Sequence, residues 1–153
     1  MAEFANLDHR MVHGFDSFMG LPEDWAGRHE ERGHYSQQGI SPSLPGNVAI
    51  HKGVFAESLP LFLDSCEDNC AFVHLDADLY SSTKSVLDAL GGRITTGTIL
   101  LFDEYFNYPA WRDNEFRAFQ EFVADNNAKY EYLLWGRQEV AVVVQSIDWS
   151  SPS

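Results

Sequence analysis

Apolar residues fall in short runs whose spacing changes along the chain, and the changes mark out the elements. Met11–Phe15 is a brief apolar stretch ending in Gly14-Phe15-Asp16, and the next strand signal is Asn47–Gly53. Between them Pro22, Gly27, Gly33, Gly39, Pro42, Pro45 and Gly46 interrupt any period, so residues 19–46 are expected to form one long irregular loop. Loops of that length in a compact domain tend to be lids or binding loops. Leu59, Leu61, Phe62 and Leu63 predict a short helix closing near Cys66. The near-continuous run Ala71-Phe72-Val73-His74-Leu75 reads as a strand buried on both faces, with His74 a packed core histidine.

Ser81, Ser82 or Thr83 is placed to cap the following helix, in which Val86, Leu87 and Leu90 keep helical spacing until Gly91-Gly92 stops it. Gly97–Phe102 is a second apolar strand. Phe116, Phe119, Phe122 and Val123 put an aromatic face on a helix from about Trp111 to Asn127, and Tyr130–Trp135 with Glu139–Val144 form two strands about Gly136. Alternation of this kind predicts an α/β fold: a mostly parallel sheet with helices on its faces and an antiparallel C-terminal hairpin, in a single domain over residues 1–153.

With 44% hydrophobic and 14% aromatic residues, the 153-residue chain has the material for one core. No apolar run is long enough to span a bilayer, and Met1–Arg10 has neither the basic start nor the apolar core of a signal peptide, so a cytoplasmic protein is expected. Cys66 and Cys70 read as reduced thiols. The formal charge of −13, from 23 acidic residues against 10 Lys and Arg, argues against a nucleic-acid surface and favours a small neutral or metal-bridged substrate.

Chemistry concentrates where two apolar strands end. Asp76 and Asp78 follow one of them and Asp103-Glu104 follow the other, at the sheet edge where α/β folds bind ligands. Converging carboxylates repel unless a proton or cation intervenes, and a hard divalent ion with oxygen ligands answers that need. The plainer reading makes Asp76 or Asp78 a helix cap and leaves Glu104 facing solvent. Trp25, Tyr35, Phe106, Tyr108 and Trp111 lie in loops at the same edge, where they either stack on a bound substrate or pack a lid.

Four stretches carry a resemblance: Gly14-Phe15-Asp16-Ser17-Phe18-Met19-Gly20-Leu21-Pro22, His51-Lys52-Gly53-Val54-Phe55 through Ser58-Leu59-Pro60, His74 through Thr83, and Phe102-Asp103-Glu104-Tyr105. Together they resemble the macrocin O-methyltransferase family of class I S-adenosylmethionine-dependent methyltransferases, which also includes aminocoumarin sugar methyltransferases. The resemblance implies a Rossmann-like sheet and methyl transfer from S-adenosylmethionine to the hydroxyl of a small, sugar-containing acceptor. It implies Mg2+ held by Asp76, Asp103 and Glu104, with Asp76 also the general base. Glu104 stands where relatives often have Asp. Asp16, Ser17, Phe18 and Gly53 would contact the adenosine part of the cofactor.

A class I methyltransferase domain normally opens with a strand and a glycine-rich turn that cradles the cofactor's methionine part, and Met1–Arg10 contains no glycine. That first strand would lie between the strands at Met11 and Ala71, so a truncated domain is expected, with unpaired edges that favour homo-oligomers. Two other readings stay open. One is a non-catalytic binding module. The other is a metal-dependent glycosyltransferase, because Asp76-Ala77-Asp78 also resembles an Asp-x-Asp element, although that leaves Asp103-Glu104 and Gly14–Pro22 unexplained.

Overall fold

The computed structural model describes residues 10–149, so Met1–Arg10 lies almost entirely outside the described residues. The chain divides into two compact units, one comprising residues up to Asp24 with Glu30–Cys66, the other Trp25–His29 with Glu67 onward.

In the first unit, β1 (Val12–Asp16) pairs in parallel with β2 (Val48–Lys52) in a two-stranded sheet, and α1 (Phe55–Leu63) follows. Gly14 lets the strands approach closely, since a Cβ there would displace the tip of the Ile50 side chain, 2.7 Å away. His13, Phe15, His51 and Phe62 gather their rings on one side, with His51 stacked on Phe15 at 4.7 Å. The expected long loop is present between the two strands, held in turns such as the Gln37 and Gly39 N–H groups donating to the Phe18 carbonyl.

The second unit holds a four-stranded sheet of order β3-β4-β6-β5, in which β3 is Phe72–Leu75, β4 Ile99–Phe102, β5 Lys129–Trp135 and β6 Val140–Ser146. Strands β3 and β4 are parallel, while β6 runs antiparallel to both β4 and β5, as the tight turn at Gly136 requires. Two helices complete the unit, α2 (Tyr80–Leu90) and α3 (Glu115–Asp125), and they pack on each other. The core is Leu87, Ile94, Leu100, Phe102, Phe119, Val142 and Val144, each almost wholly buried.

Three expectations need correction. First, β3 is not buried on both faces: Phe72 and His74 are exposed and only Leu75 is buried. Among the described residues β3 has β4 as its one ladder partner, so it is an edge strand despite its apolar sequence. His74 is therefore no core histidine. Second, no Ser or Thr caps α2; the helix begins at Tyr80 after Leu79, without a side-chain cap. Third, the aromatic helix is not continuous from Trp111: Trp111–Asp113 forms one 3-10 turn, and Asn114 breaks the path before α3 starts.

Phe119 is 1% exposed and its ring meets those of Phe102 and Tyr130 at 4.9 and 4.8 Å. Replacing it with Ala should destabilise the chain by about 3–5 kcal/mol, read as a lower urea midpoint. A loss under about 1 kcal/mol would show that α3 does not close this core.

Candidate active site

The carboxyl ends of β3 and β4 are joined by one further main-chain bond, from the Asp103 N–H to the Leu75 carbonyl at 2.9 Å. Beyond it, the chain after β3 turns sharply: the Leu79 N–H reaches back to the Ala77 carbonyl at 2.6 Å, with Asp78 at φ +63° between them. Asp tolerates this left-handed region better than most residues, and strained positions of this kind gather at functional sites. The turn folds Asp76 and Asp78 toward the strand end that carries Glu104. One carboxylate oxygen from each of Asp76, Asp78 and Glu104 lies within 4.8 Å of the others.

This geometry rules out the plainer roles. Neither aspartate caps α2, and the Glu104 side chain is 14% exposed rather than solvent-facing. Burial, then the charges of Asp78, Asp103 and Asp76, pushes the Glu104 carboxyl up to about 8. Burial and Asp76 push Asp78 up to about 6. Opposing this, the Arg28 guanidinium sits 3.9 Å from Glu104 Oε1.

Asp103, expected beside these acids as a ligand, is not among the three that converge; its Oδ1 lies 3.6 Å from His74 Nε2. Asp78, whose role the sequence left open, is a member of the group, and the Asp103 charge still acts on both Asp78 and Glu104. The structure also brings in two residues that sequence reasoning missed. Arg28 comes from the long loop, where Trp25–His29 belongs to the second unit. Its guanidinium lies over the rings of Trp25 and Tyr108, at 4.1 and 5.1 Å, and both rings are buried. Those two aromatics therefore pack around Arg28 and do not present open faces for stacking. Gly27 makes the approach possible, since at φ +83° any Cβ would collide with the Pro109 carbonyl. The second missed residue is Glu115, wholly buried at the start of α3, whose carboxylate accepts the Ala77 and Glu104 N–H groups. Nothing in its local sequence sets it apart from a surface acid in a first helical turn.

The residues expected at the cofactor lie in the first unit. Asp16 is exposed at the end of β1, where its Oδ1 accepts the Phe18 N–H at 2.7 Å and its carbonyl accepts the Gly53 N–H at 3.0 Å. Ser17 Oγ accepts the Met19 N–H. Phe18 is 8% exposed with φ +57°, so its ring anchors the loop. Gly53 at φ +147° adopts a backbone closed to other residues.

Residues 1–131 match the family described as macrocin-O-methyltransferase (TylF). The chain belongs to that family. This member also shares its fold with solved methyltransferases. The crystal structure of CalS11, a calicheamicin methyltransferase, matches with a TM-score of 0.70 at 22% identity over 98% of this chain and 67% of that one. The apo structure of CalS11, described as a TDP-rhamnose 3'-O-methyltransferase, gives 0.60 at 23% identity over the same shares. The O-methyltransferase NovP gives 0.66 at 24% identity, over 90% of this chain and 60% of its own length. The chain thus spans about two thirds of these structures or somewhat less. No curated protein sequence matches it. Membership of an O-methyltransferase family also leaves the glycosyltransferase reading without support.

The donor set fits a hard divalent cation. The clustered ligand atoms are all carboxylate oxygens, and Glu104 Oε2 is buried without a hydrogen-bond partner, a costly state unless something positive meets it.

The metal-free acids set a pH dependence. Glu104 and Asp78 bind protons more tightly folded than unfolded, at about 8 against 4.5 and about 6 against 3.8. Their contribution to stability is whole below the unfolded values and is lost as pH rises through about 6 and then about 8. In chelator, Glu104→Gln should therefore flatten the fall in melting temperature between pH 5 and 9 and melt above the wild type at the alkaline end, by about 2–4 °C per kcal/mol regained. An unchanged slope in thermal melts followed by circular dichroism would contradict the clustering.

Proposed function

We propose that this chain performs S-adenosylmethionine-dependent, divalent-metal-assisted O-methylation of a sugar hydroxyl on a small molecule. The observation that carries the reading is the convergence of Asp76, Asp78 and Glu104 in a member of an O-methyltransferase family. The names of the matched structures, a calicheamicin methyltransferase and a TDP-rhamnose 3'-O-methyltransferase, support a sugar-bearing acceptor. The net charge of −13 speaks against nucleic acid, and among the described residues no helix is long and apolar enough to cross a membrane. We place the reaction in the cytoplasm, in keeping with the free Cys66 and Cys70.

When bound, a divalent ion, expected to be Mg2+, lowers the pKa of the acceptor hydroxyl, and S-adenosylmethionine supplies the electrophilic methyl. Asp76, Asp78 and Glu104 are the residues to hold that ion, with the implied Asp103 adding its charge nearby. Asp76 is exposed, whereas Asp78 and Glu104 are part-buried, and this suits Asp76 to accept the hydroxyl proton as general base. Arg28 balances the surplus negative charge beside Glu104. Asp16, with Ser17, Phe18 and Gly53 around it, would receive the ribose hydroxyls of the cofactor at the end of β1.

Calorimetric titration of S-adenosylhomocysteine into the purified chain tests this reading. A dissociation constant of about micromolar order is expected, weakened by Asp16→Ala. Absence of binding by a folded chain would contradict the cofactor assignment. In a methyl-transfer assay against nucleotide sugars, Asp76→Asn should lower the rate by about 10²–10⁴-fold while leaving cofactor affinity unchanged. Equal losses of rate and affinity would instead make Asp76 a structural residue.

A further inference from the structure

We infer that Glu115 is a positioning residue: its carboxylate fixes the turn after β3 to the turn after β4, and thereby sets the spacing at which Asp76, Asp78 and Glu104 present their oxygens. Glu115 is 0% exposed. Its Oε1 accepts the Ala77 N–H at 3.4 Å, between the two aspartates, and its Oε2 accepts the N–H of Glu104 itself at 3.1 Å. The Thr83 hydroxyl, on the first turns of α2, donates to Oε1 at 3.5 Å. The β3–β4 connection closes with the bond from Asp103 to Leu75, and the fork of Glu115 bridges the two strand extensions past that point.

When ionised, the carboxylate offers two acceptor atoms to such a fork, and its bonds from the Glu104 and Ala77 amides oppose the rise that burial imposes on it. An apolar residue would leave both amides without this acceptor, and Gln would set its own N–H group against one of them. Glu115 adds a fourth acid to a crowded site and feels the charges of Glu104 and Asp78, while its hydrogen bonds go to main chain and hydroxyl and so hold the backbone that carries those acids. Groups behind a metal's direct ligands orient those ligands, and their removal typically weakens metal binding by about 10–100-fold.

The assignment rests on the reading of the acidic cluster as a cation site. It is tested by titrating Mn2+ into the full chain and its Glu115→Gln variant, with amide hydrogen exchange of Ala77 and Glu104 followed by NMR in both. The variant should fold, bind Mn2+ about 10–100-fold more weakly and exchange at least one of those two amides faster, while amides in the β5–β6 hairpin keep their rates. Wild-type Mn2+ affinity in a folded variant overturns the assignment. If the wild type takes up no Mn2+, the metal reading is what fails, and amide exchange alone decides Glu115: unchanged rates at Ala77 and Glu104 overturn it. Where Glu115→Gln does not fold, Glu115→Asp, whose shorter arm reaches one turn at a time, supplies the same comparison. Loss of the fold in both overturns the assignment, because Glu115 then determines the fold and not the spacing of the site.

Discussion

Carboxylates within 4.8 Å of one another repel, and the architecture around the ends of β3 and β4 has to oppose that repulsion. Parallel pairing brings the two strand ends side by side, the left-handed turn at Asp78 brings its carboxylate toward those of Asp76 and Glu104, and a buried fork from α3 links both turns. The burial that confines the acids is the main cause that raises Glu104 and Asp78, because it weakens solvation of the charged form. A site built this way holds electrostatic free energy that a cation would release on binding. The same arrangement makes the metal-free protein less stable as pH rises.

Arg28 offsets part of the charge and explains why a piece of the long loop belongs with the second unit. Its guanidinium lies over the rings of Trp25 and Tyr108 and close to Glu104, while the Asn114 amide donates to the Ala26 carbonyl at 3.2 Å. A loop segment packed in this way can adjust the charge of the site without supplying a ligand. The loop aromatics at positions 25 and 108 serve that packing.

Much of this was legible in the sequence. The period changes marked the strands, the helices and the antiparallel hairpin, and paired acids after two apolar strands marked the edge at which the acids converge. What escaped was whatever depends on neighbours. Phe72 and His74 sit in an apolar run, but whether such a run is central or at an edge is decided by its ladder partners, which local pattern does not encode. Ser81, Ser82 and Thr83 have the chemistry of caps, yet the cap position of α2 falls at Leu79, two residues before the first of them, and Thr83 faces Glu115. Asp78 was visible as an acid but not as a member of the cluster, because its inward direction comes from a positive φ. Glu115 and Arg28 lie 11 or more positions from the acids they serve, and no motif announces either.

Whether the converging acids form a cation site is decided by anomalous diffraction from crystals of the chain soaked in Mn2+. One strong peak is expected in contact with carboxylate oxygens of Asp76, Asp78 and Glu104. A peak held by Asp103 and His74 in their place, or no peak at saturating Mn2+, would contradict it.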